Sequence, residues 1–209
     1  MDRWRHEKDF WASGFNLVAG VDEVGRGPLA GPVVAVAIIL DESFEDPGVN
    51  DSKALSPASR IALYPRISET AVSWGVGLVE ADEIDQLNIL NATFMAMIRA
   101  ISQLSVPPQA ILVDGKLRIP NLHCPQRAIV RGDRDSISIG AASILAKEIR
   151  DRIMEEYDQT YPGYGFAQHK GYATTEHAEA LARLGPSPIH RRSFAPVREW
   201  RQNKLALES

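Results

Sequence analysis

A chain of 209 residues and 23.0 kDa, with 44% hydrophobic residues, a single cysteine and a formal net charge of −4, can bury a full core as one domain; it excludes a disulfide-stapled scaffold and a uniformly basic polyanion binder. The charged stretch Met1–Phe10 has no apolar signal core and no segment approaches 18 uninterrupted apolar residues, so no secretory leader or membrane span is expected and the expected location is the cytoplasm. Charge is divided along the chain: residues 1–115 hold 8 Lys and Arg against 16 Asp and Glu, and residues 116–209 hold 15 against 11, which suits a polyanion held by one half over acids of the other.

In chain order, Leu17–Val21 reads as a buried strand that stops on two adjacent carboxylates, Asp22 and Glu23. Charge at that position is costly unless a cation, a base or water neutralises it. The glycines of Gly25-Arg26-Gly27 then let the backbone approach whatever lies over the acids. The glycine spacing imitates a dinucleotide fingerprint, which requires a helix next. Instead Pro28 and Pro32 bracket the loop and Val33–Leu40 reads as a second strand. On this stretch alone, a hairpin turn with incidental acids is the rival reading.

Asp41–Asn50 is an acidic loop leading to Asn50-Asp51-Ser52-Lys53, where Lys53 is either a phosphate contact or plain surface. Ser56-Pro57 is a helix start, and Pro65 should kink or shorten that helix. Val72–Val79 alternates as a third strand. From Asp82, the apolar residues Ile84, Leu87, Leu90, Phe94, Met97, Ile98 and Ile101 predict one long amphipathic helix, closed by Pro107-Pro108. Ala110–Gly115 is again a short buried strand that stops on an acid, Asp114. Neighbouring parallel strands carry their C-terminal ends to one edge, so Asp114 is expected to meet Asp22. Arg127–Arg131 is a fifth strand candidate that runs into Gly132-Asp133-Arg134-Asp135.

Ser136–Met154 reads as a helix whose small residues Gly140, Ala141, Ala142 and Ser143 let it lie close to the sheet. Lys147 and Arg150 face either phosphate or solvent. Tyr161–Tyr172 is aromatic, glycine-rich and basic, a mixture against which nucleotides and sugars stack. A helix over Thr175–Leu184 closes at Gly185-Pro186, and His190-Arg191-Arg192, Arg198 and Arg201 complete a basic clamp. Asp22, Glu23, Asp114 and Asp133 are thus four candidate carboxylates without a cysteine or a histidine pair among them. Such a set selects Mg²⁺ or Mn²⁺, and two such ions suffice for in-line phosphodiester hydrolysis without a protein nucleophile.

Val21-Asp-Glu-Val-Gly-Arg-Gly-Pro28, Asn50-Asp-Ser-Lys53, Val113-Asp-Gly115, Gly132-Asp133, Ala141–Lys147 with Arg150-Asp151, His169-Lys-Gly-Tyr172 and His190-Arg-Arg-Ser-Phe194 together resemble the bacterial ribonuclease HII family, a type 2 ribonuclease H, in order over residues 17–198. The resemblance implies an α/β, ribonuclease H-like fold: a mixed five-stranded sheet flanked by helices, with a small helical C-terminal segment. It divides the chain into an N-terminal extension (1–16), a catalytic core (17–160) and a substrate-clamping segment (161–209). It also implies an endonuclease acting on RNA/DNA hybrids and on single ribonucleotides in duplex DNA; with no heptads and no exposed apolar run in the sequence, a monomer is expected. Asp22, Glu23, Asp114 and Asp133 would hold two divalent ions, with Asp135 competing for the role of Asp133. Gly25, Arg26 and Gly27 would read the 2′-hydroxyl, Tyr172 would stack on the adjacent deoxyribose, and residues 1–14 are expected to stay clear of the site. A junction resolvase of the same fold and an inactive nucleic-acid-binding protein are the alternatives.

Overall fold

The computed structural model describes residues 2–44, 48–49 and 55–208; Lys53 and the rest of its Asn-Asp-Ser-Lys motif lie outside them. The elements run α1 (Arg5–Ala12), β1 (Val18–Val24), β2 (Val33–Ile39), α2 (Pro57–Thr70), β3 (Ser73–Val79), α3 (Ala81–Leu87), α4 (Ile89–Ser102), β4 (Ala110–Asp114) and β5 (Gln126–Ile129). They continue with α5 (Gly132–Asp135), α6 (Ile137–Thr160), α7 (Phe166–His169), α8 (Thr175–Leu184) and α9 (Ala195–Glu208). The five-stranded sheet has the order β3-β2-β1-β4-β5. β1 pairs antiparallel with β2 and parallel with β4, and β4 pairs parallel with β5, so the sheet is mixed.

Both faces of the sheet are covered at β1, β2 and β4, which is why these strands are nearly continuous apolar runs, whereas the edge strand β3 alternates buried and half-buried residues. Ala19, Val21, Ala35, Ala37, Ile111 and Val113 pack against Ile84 of α3 and Ala92, Ala96 and Met97 of α4. On the opposite face Val36 and Ile38 meet Ala141, Ala142 and Leu145 of α6, with Leu63 and Ile67 of α2 alongside. Gly20 sets how close α6 comes to β1, because a Cβ there would overlap the Ser138 backbone. Gly20→Ala should therefore push the start of α6 off the sheet. It is expected to cost about 3 kcal/mol, at the upper end of overpacking penalties, and to lower the melting temperature by roughly 6–12 °C. A thermal melt that matches the wild type would mean that α6 is not seated as described.

Two helices depart from expectation. The stretch read as one helix from Asp82 is two, because Asn88 takes φ +64° and its side-chain oxygen accepts hydrogen bonds from the amides of Leu90 and Asn91, which starts α4 anew. Pro65, by contrast, does not end α2, which continues to Thr70. Pro65 and Ile61 both lie on the exposed side, where the carbonyl that Pro65 cannot serve is open to water. Ser56 caps α2 as expected, accepting from the Ser59 amide at 3.1 Å.

Candidate active site

The register between β1 and β4 builds the site. Val21 lies beside Val113, so the next residues of these two parallel strands, Asp22 and Asp114, stand abreast on the face covered by α6, on strands about 4.8 Å apart. Glu23, one residue on, points to the other face. β1 pairs with β2 as far as Val24, so Asp22 and Glu23 sit within the strand rather than beyond its end. Asp22 is only 5% exposed. Burial, then the charges of Glu23 and Asp114, push its pKa well above the usual carboxylate range; hydrogen bonds from Ser143 of α6 and the Glu23 amide oppose the rise. Burial also raises Glu23, and Asp114 adds to it, while Arg26 at 3.3 Å pulls the other way.

Asp133 is buried on the short helix α5. The Gly132 amide just before it donates to Asp114 Oδ1 at 2.7 Å, which ties this turn to the end of β4. Asp135 faces away instead, toward Arg5 at 3.7 Å. Among the described residues, no three His, Cys, Asp or Glu side chains already form a metal-holding group. Asp22 and Asp114 are abreast, and Glu23 is drawn toward Arg26. A cleft of about 400 Å³ opens beside them, lined by Glu23, Arg26, Asp114 and Lys116 over Thr93, Phe94 and Met97.

The Gly25-Arg26-Gly27 loop is held from behind by two buried guanidiniums, and here the charge reading needs correction. Arg150 faces neither phosphate nor solvent. It donates to the carbonyls of Pro32 (3.0 Å), Ala30 (3.1 Å) and Lys170 (2.9 Å), and fills the space that a Cβ on Gly25 would take. Lys147 pairs with Asp151 one turn along α6. Arg191, placed with the basic clamp from sequence, is also buried and donates to Gly31 O (3.0 and 2.8 Å), Arg26 O (3.0 Å) and Gly25 O (2.5 Å). A trans peptide sets its N–H opposite its carbonyl. With the Gly25 and Arg26 carbonyls drawn inward, the amides of Arg26 and Gly27 point away from Arg191. Arg191 is the residue that sequence reasoning missed, since charge read along a chain carries no direction.

Tyr172 stands next to this loop: its Cε1 is 3.7 Å from where a Cβ on Gly27 would lie, and the residue is 45% exposed. The Leu29 amide donates to Gly171 O at 2.8 Å, so the two segments are also joined through the backbone. The N-terminal residues do not stay clear of this region. Arg3 donates to the carbonyls of Asp133 (2.9 Å), Arg134 (2.9 Å), Ser136 (3.3 Å) and Val49. Glu7, buried in α1, accepts from Ser136 Oγ at 2.6 Å and the Ser138 amide at 3.1 Å. Together they brace the turn that carries Asp133 and the start of α6. No described helix is long and apolar enough to cross a membrane.

A family model described as Ribonuclease HII matches residues 19–197. The ribonuclease HII of Geobacter metallireducens is 55% identical over 196 residues, covering 94% of this chain and 92% of that one. That of Lactobacillus helveticus is 52% identical over 200 residues, covering 96% and 79% respectively. Among solved structures, the ribonuclease H2 of Pyrococcus horikoshii matches with a TM-score of 0.76 at 30% identity, covering 89% of this chain and 97% of that one.

Proposed function

Since the chain belongs to the ribonuclease HII family and is a ribonuclease H enzyme, we propose that it cuts the RNA strand of RNA/DNA hybrids and nicks duplex DNA on the 5′ side of a single embedded ribonucleotide, leaving 5′-phosphate and 3′-hydroxyl ends. The observation that carries the reading is that Asp22 is buried abreast of Asp114 with Glu23 adjoining: burial and the charges of Glu23 and Asp114 raise the proton affinity of Asp22, and burial and Asp114 raise that of Glu23, which favours a divalent cation there. The donors are hard oxygens without thiolate or imidazole, which fits Mg²⁺ or Mn²⁺. Asp22, Glu23, Asp114 and Asp133 are the residues assigned to hold two such ions, with Glu23 turning from Arg26 to do so. When bound, the ions would supply an activated water and charge to steady the leaving oxygen.

The remaining roles fall to the chain's own groups. The outward amides of Arg26 and Gly27, with Gly25 allowing the approach, are suited to a 2′-hydroxyl, the group that separates RNA from DNA at one position. Tyr172 presents an exposed ring for the deoxyribose of the next nucleotide. None of these contacts reads a base edge, so cleavage is independent of sequence. Lys53 is retained as a phosphate contact, residues 161–209 as the clamp, and residues 17–160 as the catalytic core. The protein would work as a cytoplasmic monomer that opens ribonucleotide-containing DNA for excision repair.

The test is a cleavage assay with Mg²⁺ or Mn²⁺ on a DNA duplex containing one ribonucleotide. A nick on that nucleotide's 5′ side is expected. Cutting of all-DNA four-way junctions instead would point to a resolvase, and binding without any cleavage would point to a protein that has lost catalysis.

A further inference from the structure

The clamp contains three histidines that the nuclease chemistry leaves unused, and their hydrogen bonds form one directed chain. The Ser187 amide donates to His190 Nδ1 at 3.0 Å, which makes that nitrogen an acceptor and places the ring's proton on Nε2. His190 Nε2 lies 3.0 Å from His177 Nε2, which must then accept, so the proton of His177 is on Nδ1. That nitrogen is 2.8 Å from the Tyr172 carbonyl, which can only accept. His169 completes the arrangement: its Nδ1 accepts from the Gly171 amide at 3.1 Å, its carbonyl accepts from the Tyr172 amide at 2.9 Å, and its ring stacks on His177 with centroids 4.4 Å apart.

The three links in which a ring nitrogen accepts, from the Ser187 amide, from His190 Nε2 and from the Gly171 amide, require a neutral ring. Both His177 and His190 are buried, and burial lowers the pKa of each, that of His190 to about 4. A proton added to His177 would set two N–H groups against each other across the 3.0 Å link to His190, and one added to His190 would sit on Nδ1, against the Ser187 amide 3.0 Å away. The backbone on both sides of Tyr172 is therefore fixed by groups of defined direction, while the Tyr172 side chain remains outside on the exposed surface.

We propose that His177, oriented by His190 and supported by His169, is a positioning residue that holds Tyr172 against the Gly-Arg-Gly loop and thereby sets the preference for a ribonucleotide followed by DNA. This rests on the role given to Tyr172 above. Losing an aromatic stacking platform typically weakens binding by roughly 5- to 150-fold per stacked base, so misplacing the ring should matter most where one junction is all the enzyme can use.

The experiment compares kcat/KM on a single embedded ribonucleotide with kcat/KM on a long hybrid, for wild type, Tyr172→Ala, His177→Phe and His177→Asn. The Phe variant keeps an aromatic ring beside His169 but loses both nitrogens; the Asn variant restores an N–H near the position of Nδ1. Tyr172→Ala and His177→Phe are expected to lower the ratio by about tenfold, with His177→Asn recovering most of it. If Tyr172→Ala lowers the ratio and His177→Phe does not, the positioning role is overturned while the role of Tyr172 stands. If Tyr172→Ala leaves the ratio unchanged, the reading of Tyr172 falls and takes the inference with it. Should His177→Phe fail to fold, the wild-type protein supplies the second measurement. Histidine ¹⁵N shifts at neutral pH are expected to show His177 protonated on Nδ1 and His169 and His190 on Nε2; any other pattern overturns the chain.

Discussion

Asp22→Asn is expected to remove nearly all nuclease activity while making the cation-free protein more stable. Loss of a single preorganised electrostatic group commonly costs 10²–10³ in rate, and a ligand shared by the reacting centre should exceed that, so a fall of roughly 10³-fold or more is expected. The stability change has the opposite sign for a reason visible in the site. The fold raises the Asp22 pKa above that of the unfolded chain, so the folded protein is the stronger proton binder. Below about pH 4, where both states hold the proton, this costs nothing; as pH rises past that value the fold is increasingly destabilised, and at pH 8 it carries the penalty. Asparagine never ionises and escapes it, which should raise the cation-free melting temperature at pH 8 by roughly 2–4 °C for each kcal/mol recovered. In the proposed role a divalent cation would replace the proton in the wild type, so Mg²⁺ or Mn²⁺ should raise its melting temperature more at pH 8 than at pH 5, and should do so much less in the variant. An equal cation response in both proteins would remove Asp22 from the ligand set.

Arg191→Lys tests the loop proposed to face the substrate. The guanidinium satisfies the carbonyls of Gly25, Arg26 and Gly31 at once. Burial, and next the like charge of Arg150, draw its pKa down to about 9, still high enough to keep it charged at neutral pH. An ammonium group has no planar fork and cannot reach the three acceptors in that geometry. Stranding buried acceptors around an ill-fitting cation should cost about 4 kcal/mol, within the range for breaking a buried charged network, and lower the melting temperature by roughly 8–15 °C. The Gly25 and Arg26 peptides would then be free to rotate, so kcat/KM on a single ribonucleotide should fall by about 10²-fold, the scale seen when positioning is lost. Wild-type melting together with wild-type cleavage would show that the loop holds its shape without this arginine.

The parts of the fold written in local pattern could be read from the chain. The apolar runs of β1 and β4 each lead into acids, and two parallel strands with that property bring Asp22 and Asp114 side by side. Thr174 and Gly185 bracket α8 where caps of those types are expected. What could not be read depends on direction or on distant partners. The apolar period continues across Asn88 because α3 and α4 both bury residues in the same core, so the break between them is silent in the spacing. Arg150 and Arg191 count as surface charge in any composition, yet both are spent on carbonyls of a loop more than a hundred positions earlier. Motif comparison likewise overlooked the residues before position 17, since it carries no information about what Arg3 and Glu7 touch.

The bracing of the Asp133 turn by α1 has a practical corollary for how this enzyme is handled. Similarity to the family model begins at residue 19, whereas the mechanical unit begins at Arg3, so a boundary drawn by homology would cut through a working part. An affinity tag or trimming that pulls those first few positions out of place would act on a carboxylate more than a hundred residues downstream.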